Sequence, residues 1–409
     1  FGQNVNIPDT NFKAYLVGNS FINTNGDSEI QVSEASVFSD SISVSGTLFI
    51  YDLTGIEAFT DLTYLDCSQL LITSLDVSNN IALTYLDCNS IQLTTLDLSN
   101  NTDLVHLDCK FNQLTSLDVS NNLALIYLDC QGNQLSSLDV SNNLYLTGLS
   151  CWVNQLTDLD LSNNLALTGL SCADNQITVI DLTQNIALES FFCNNNQLTS
   201  LDVSSNLALT FLDCGFNQLT SLDVSNNAAL TEFTCSFNPL ISLDISGVTA
   251  LTYLGCGFNQ LASLDVSDNI ALTELQCQDN LIECLDVSNN TALTYLNCNN
   301  NLLTQLNTKN SNWQNLDIDA INNNLTCVEV DNLGYANTNW ATTFDSFVTF
   351  STNCNYTNPC STVSAIQEHI TYKELLKVTD LLGRETKQTN RPLFYIYNDG
   401  TVEKRIVIE

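Results

Sequence analysis

Between Leu62 and Leu306 the apolar positions return in a frame of 21 residues. The stretch LVHLDCKFNQL, from Leu104 to Leu114, followed by TSLDVSNNLA, shows one complete unit. Leu104, Leu107 and Cys109 fall where a core would take them, whereas Val105, His106 and Asp108 are left to face out. Alternation of that kind over so few residues predicts a short β-strand, one per unit. Twelve cysteines keep the frame without a slip: Cys67, Cys88, Cys109, Cys130, Cys151, Cys172, Cys193, Cys214, Cys235, Cys256, Cys277 and Cys298. Units of equal length set each strand beside its counterpart in the next unit. The expectation is a parallel ladder of about twelve turns, which at about 4.8 Å per turn spans roughly 55 to 60 Å.

Each unit divides into two half-units, LxxLxCxxNxL and LxxLDVSNNxA, which share one Leu and each end in Asn. The first Asn ladder runs from Asn112 through Asn133, Asn154, Asn175, Asn196, Asn217, Asn238, Asn259 and Asn280 to Asn301, and the second includes Asn80, Asn101, Asn122, Asn143, Asn164, Asn185, Asn206 and Asn227. A corner that turns inward buries backbone donors and acceptors, and a carboxamide can satisfy both kinds. Leu70 and Ile91 replace the Asn in the first two turns, so an altered corner is expected there.

This pattern is the leucine-rich-repeat signature. The segment from Leu62 to about Leu306 resembles the bacterial 21-residue class built of nested half-repeats. The resemblance implies a solenoid whose work is binding rather than catalysis. Such solenoids need their open ends covered. Residues 1–61 are expected to form a helical N-terminal cap and 62–306 the solenoid. Residues 307–360 are expected to form a C-terminal cap, since TCVEVDNLGYANTNWATTFDSFVTFSTNC looks like the cap of similar bacterial repeat proteins. The resemblance leads us to expect a disulfide between Cys327 and Cys354 stapling that cap, with Cys284 and Cys360 unassigned. Neighbouring ladder cysteines lie too far apart for the Cβ separation of roughly 3.5 to 4.5 Å that a disulfide needs. They are read as buried free thiols acting as small hydrophobes.

In the N-terminal segment, IPDTNFKAYLVGNS reads as a helix with Asp9 at its start. The loop after it, NTNGDSEIQVSE, resembles an EF-hand calcium loop: Asn23, Asn25 and Asp27 at positions one, three and five, Glu29 at seven, Ile30 at eight and Glu34 at twelve. It departs from that pattern with Asn at position one, Ser28 at six and its glycine, Gly26, at four. Two readings stay open, a structural Ca2+ site filled at extracellular calcium levels and a polar turn between two cap helices. No cofactor is otherwise required.

The charge is strongly one-sided, with 45 acidic residues against 10 Lys and Arg and a formal net charge of -35. Nucleic-acid backbones and anionic lipid are poor partners for such a chain. Lys13, Lys110 and Lys309 are the only bases before residue 373, and the other seven lie between Lys373 and Arg405. Composition therefore marks a separate module at 361–409. LLKVTDLLGRE and PLFYIYNDGTVEKRIVIE read there as a strand and a hairpin turning at Asn398-Asp399-Gly400, a small all-β domain. It resembles the type A sorting domain of bacterial type IX secretion, which implies export by that machinery to the outer face of a bacterial outer membrane. In this chain Arg391-Pro392 stands where the family usually has Gly, and Asn358-Pro359 only echoes the upstream Pro-Asn-Pro motif. No apolar run reaches the 18 residues of a helical membrane span. A start at Phe1 with no Met anywhere suits a precursor whose signal peptide has been removed.

Catalytic chemistry finds little support. The two histidines, His106 and His369, sit in different modules, and His106 is one member of an outward stripe with Tyr64, Tyr85 and Tyr127. Asp66, Asp87, Asp108 and Asp129 run beside it. From the fifth to the tenth turn that Asp stripe gives way to Ser150, Ser171, Phe192, Thr234 and Gly255, with Asp213 the exception. Trp152, Phe211, Phe216, Phe237 and Phe258 gather at strand or strand-edge positions nearby. Exposed aromatics on a repeat surface point to contact with a protein or glycan at the cell surface. The competing reading has Phe111, Phe216, Phe237 and Phe258 tucked under the next turn as packing. A structural envelope component and an accessory module of a secreted enzyme system are the alternatives to adhesion.

Overall fold

In each turn the central apolar residue of a three-residue strand points into the core, and its two neighbours point away. The strand Tyr85–Asp87, with Leu86 fully buried at its centre, is typical; in the next two turns Asp108 and Asp129, expected to face solvent, are covered to 6% and 5% exposure by the packed row of neighbouring side chains. The structure, a computed structural model, describes residues 2–46, 49–356 and 360, together with the backbone of the strands Leu375–Thr379, Pro392–Tyr397 and Val402–Ile406. The chain divides into two compact units, Phe1–Tyr356 and Thr357–Glu409.

The first unit is a parallel-strand leucine-rich-repeat solenoid. Its main sheet has fourteen strands rather than twelve, because both caps extend it. At the front Ser41–Ser43 pairs with Tyr64–Asp66, and at the back Tyr295–Asn297 pairs with Asp317–Asp319. The spacing there departs from 21 residues, and Ala320 takes the place of the ladder cysteine. A second, four-stranded parallel sheet forms only at the C-terminal end, from Cys284–Asp286, Gln305–Asn307, Cys327–Glu329 and Thr349–Ser351. Earlier turns pass the same region without strand pairing.

The twelve ladder cysteines are free and buried. Some thiols donate to the next turn, as Cys214 Sγ does to the Thr234 carbonyl at 3.4 Å. Cys327 and Cys354 form the expected disulfide, with Cα atoms 5.9 Å apart, and Cys284 and Cys360 are not free thiols.

The two Asn ladders solve different problems. In the first, Asn217 Nδ2 donates to the carbonyls of Cys193, Cys214 and Gly215 at 3.0, 3.1 and 3.1 Å, while its Oδ1 accepts the Leu198 N–H at 2.9 Å. The second ladder departs from expectation. Asn206 Nδ2 donates to Leu182 and Asn185 carbonyls at 3.2 and 2.8 Å, but its Oδ1 has no protein partner, and the same holds from Asn80 through Asn290. That corner exposes only carbonyls to the core, so half of each carboxamide is used.

Just before the first-ladder Asn the backbone turns left-handed. Phe111, Gly132, Val153, Asp174, Asn195, Phe216, Phe237 and Phe258 all have φ between 48° and 64°. At the second turn, where Ile91 replaces Asn, both Ser90 and Gln92 are left-handed, which is the altered corner the sequence implied.

The N-terminal cap begins with the helix Thr10–Gly18, whose Asp9 accepts the N–H groups of Asn11 and Phe12 and which buries Phe12 and Leu16. At the other end the helix Leu333–Asn339 leads to Trp340, which is 3% exposed and donates from Nε1 to the Leu316 carbonyl at 3.3 Å. In the second unit the three described strands form an antiparallel sheet, Pro392–Tyr397 pairing with both others. The expected turn at Asn398-Asp399-Gly400 lies outside the described residues.

Candidate ligand-binding face

Equal spacing of the turns places like residues in register along the strand face, and aromatic residues in register stack. Tyr64, Tyr85, His106 and Tyr127 form one continuous stack, with ring centroids 4.2, 4.3 and 4.6 Å apart and planes within 10° of parallel. Asp66, Asp87, Asp108 and Asp129 flank it in the same register. Burial, with added repulsion from neighbouring Asp carboxylates, holds Asp87 and Asp129 above the usual carboxylate range. Burial pulls His106 down against the opposing pull of Asp108, so the ring favours its neutral form. Lys110 relieves the row by pairing with Asp108 and, at 3.6 Å, with Asp129. The sequence signal for that role was its solitude, since no other base occurs between Lys13 and Lys309.

The stack ends at Gly148 and Gly169, and a second aromatic region begins at Phe192. Phe192 and Phe211 stack at 4.4 Å with planes 29° apart, and Asp213 pairs in register with Phe192. Phe216, Phe237 and Phe258 form a third stack at 4.0 Å and 4.0 Å, with planes 11° and 9° apart. These three are not tucked away, since they are 52%, 39% and 39% exposed. Phe111, at 52% exposure, is no more buried, but it has no ring to stack on: it lies over Gly132, where an added Cβ would meet Phe111 Cδ1 at 2.5 Å. Left-handed backbone costs a bulky residue on the order of 1 kcal/mol, and stacking returns about 0.5 to 1.5 kcal/mol per ring pair. Trp152 stands apart from all three stacks at 39% exposure, its indole N–H donating to the Asp174 carboxylate. The structure thus stacks Tyr64, Tyr85 and Tyr127 with His106, pairs Phe192 with Phe211, and stacks Phe216, Phe237 and Phe258, while Trp152 lies between the tyrosines and the phenylalanines along the chain.

In the N-terminal cap, Glu34 acts inside a capping box for the helix Val32–Ala35. Its Oε1 accepts from Thr24 N and Oγ1, both at 2.9 Å, and from Asn25 N at 3.2 Å, and its Oε2 accepts from Gln31 N at 3.0 Å. Burial raises this carboxyl, but the four donors outweigh it and hold Glu34 below the usual range. Asp27 takes hydrogen bonds from Asn25 Nδ2 and Gln31 Nε2, both at 3.1 Å. Asn23 Oδ1 accepts from Gly26 N at 3.1 Å, and Glu29 pairs with Lys13 at 2.6 Å. Asn25, Asp27, Glu29 and Glu34 line one open pocket. Among the described residues no three His, Cys, Asp or Glu side chains are grouped to hold an ion, so a cation here would draw on amide and backbone oxygens.

The fold and this face define a capped leucine-rich-repeat solenoid with an internal cysteine ladder. No family model matches the chain, and no curated protein does. Among solved structures, the functional domain of InlJ from Listeria monocytogenes, described as including a cysteine ladder, is 37% identical. The match covers 81% of this chain and 77% of that one, with a TM-score of 0.69. An internalin (InlF) of the same organism is 23% identical over 80% of this chain and 93% of its own, TM-score 0.61. A leucine-rich-repeat protein of Leptospira interrogans is 20% identical over 76% and 95%, TM-score 0.59; these two share the fold. The chain belongs to the bacterial leucine-rich-repeat family that includes the cysteine-ladder domain of InlJ. No helix among the described residues is long and apolar enough to cross a membrane.

Proposed function

We propose that this chain is a secreted or cell-surface protein that binds a protein or glycan through its strand face and adjoining corner, and so mediates adhesion. The observation that carries this is the exposed Phe216–Phe237–Phe258 stack beside the Phe192–Phe211 pair. Neighbouring turns fold with Asn195, Asp279 or Asn300 at the same corner. The rings are therefore surplus to the fold and available to a partner. Presenting the full chain to protein and glycan arrays tests this. Saturable binding that falls when the three Phe are replaced supports it, and no saturable ligand would favour the envelope-component reading.

Export by type IX secretion is the second part of the proposal. It rests on the sequence of 361–409, and the antiparallel three-stranded sheet is consistent with a small β module. Deleting 375–409 should abolish surface delivery in a host with that machinery, and a truncated chain still reaching the surface would return the segment to a capping role. Calcium at the Asn23–Glu34 loop is the third part, and it has a separate test. Titrating calcium should raise the melting temperature of the wild type but not of Asp27→Ala. An equal response would mean that the ion only screens the acidic surface.

A further inference from the structure

The Phe216–Phe237–Phe258 stack has a geometry that discriminates between kinds of ligand. Its centroids lie 4.0 Å apart with planes within 11° of parallel, so four of the six ring faces, including both of Phe237, are covered by a neighbouring ring and meet solvent only at their edges. A sugar ring is recognised by packing its C–H groups on an open aromatic face, which carries the negative lobe of the ring quadrupole. The same covering of faces denies a cation the ring centre it would need for direct attraction. What the ridge offers is C–H edge, which suits the aliphatic and aromatic side chains of a polypeptide.

Charge supplies the second, independent criterion. Residues 111 to 308 hold nineteen acidic side chains and no Lys, Arg or His. A field of that sign draws in a basic partner and repels an acidic polysaccharide or a second copy of this chain. Asp213 lies within the aromatic region, in register with Phe192, and its Oδ1 accepts the Gly215 N–H at 3.0 Å. Burial raises its carboxyl, a situation that an arriving ammonium or guanidinium would reverse.

From these observations we infer that the corner ridge and the adjoining Phe192–Phe211 pair dock a cationic polypeptide segment, its apolar side chains on the Phe edges and a Lys or Arg at Asp213. The inference rests on the binding reading above and names its partner class. Phe192 and Phe258 are three turns apart, about 14 Å, which matches four or five residues of extended chain.

A phage-displayed library of random dodecapeptides, panned on the full chain beside a glycan array, tests it. Captured peptides should combine Lys or Arg with apolar residues. Their binding should weaken by at least about tenfold on F216N/F237N/F258N, fall on Asp213→Asn, and decline as salt rises. Asn favours left-handed backbone, so the triple variant should melt no lower than the wild type. Should it nevertheless misfold, Phe237→Asn alone, with both neighbouring rings retained, gives the same reading. Captured peptides that are neutral or acidic, or that bind the Phe variants unchanged, overturn the inference. Saturable glycan binding lost in the Phe variants also overturns it while leaving the adhesion reading intact. Failure of every probe to bind overturns both.

Discussion

Raising the pH should unfold this protein through its own core. The twelve ladder thiols are free and buried. Burial pushes Cys172 and Cys277 from 9.0 up to about 12, and it raises the other ten as well. In the unfolded chain the same thiols ionise near their ordinary value. Between those limits the folded state holds more protons than the unfolded one. The thiols' contribution is therefore intact below the unfolded pKa and drains away as pH climbs toward the folded one. One thiol loses about 1.36 kcal/mol per pH unit in that window, and twelve lose about 16 kcal/mol. Global stabilities of about 5 to 15 kcal/mol are typical, so unfolding is expected within about one to two pH units above the ordinary thiol pKa. The partly covered phenols of Tyr127 and Tyr253, raised chiefly by burial, extend the loss above about pH 10, beyond the thiol window. The assay is the urea midpoint followed by circular dichroism at intervals from about pH 8 to about pH 10, with thiolate absorbance read alongside. Replacing Cys151, Cys172, Cys193 and Cys214 by Ala should remove about a third of the slope. A midpoint that stays level across that range, or an unchanged slope in the fourfold variant, would refute the reasoning.

Three further outcomes follow from the packing. Asn217→Leu leaves the Leu198 N–H and three carbonyls short of a partner and should cost about 2 to 4 kcal/mol. Asn206→Leu loses two donated bonds but also removes an unsatisfied oxygen, so it should cost no more than about 2 kcal/mol; denaturant midpoints giving the reverse order would contradict the distinction between the ladders. Replacing Cys327 and Cys354 together by Ser opens a loop with a sequence separation of 27 and should remove about 3.5 kcal/mol. Hydrogen exchange should show that loss in the C-terminal cap, and unaltered protection there would mean that the disulfide is not what holds it. Trp340→Ala uncovers the end of the core beneath Leu316 and should cost about 3 to 5 kcal/mol, measurable as a lower melting temperature than the wild type.

The parallel ladder, the buried thiols and the Asn corners follow from the 21-residue frame, because a turn whose core positions recur at one interval has a single register in which all of them are buried. Where the interval slipped, the sequence became hard to read. Asp317–Asp319 joins the main sheet 22 residues after Tyr295–Asn297, and Ser41–Ser43 joins it 23 residues before Tyr64–Asp66, neither with a cysteine to mark the turn. Val44 fills the cysteine position at the front and donates to the Asp66 carbonyl at 2.8 Å, so the backbone continues a ladder that the side chains do not announce.

The candidate face was legible only as a set of departures from the repeat. Phe111 and Phe216 occupy the same position in the unit and are equally exposed, yet one ring lies over Gly132 while the other stacks on Phe237. The neighbouring turn decides, 21 residues away in sequence and one strand spacing away in space. Glu34 shows the same division. Its spacing fits an EF-hand loop, but only the folded cap brings the N–H groups of Thr24, Asn25 and Gln31 onto its carboxylate. The sequence by itself determined what repeats, because burial of apolar side chains at a fixed interval is a local, additive constraint. The tertiary structure alone decided which exposed rings stack, which carboxamide oxygens find donors and where a second sheet forms, because each depends on a particular neighbour in the adjoining turn.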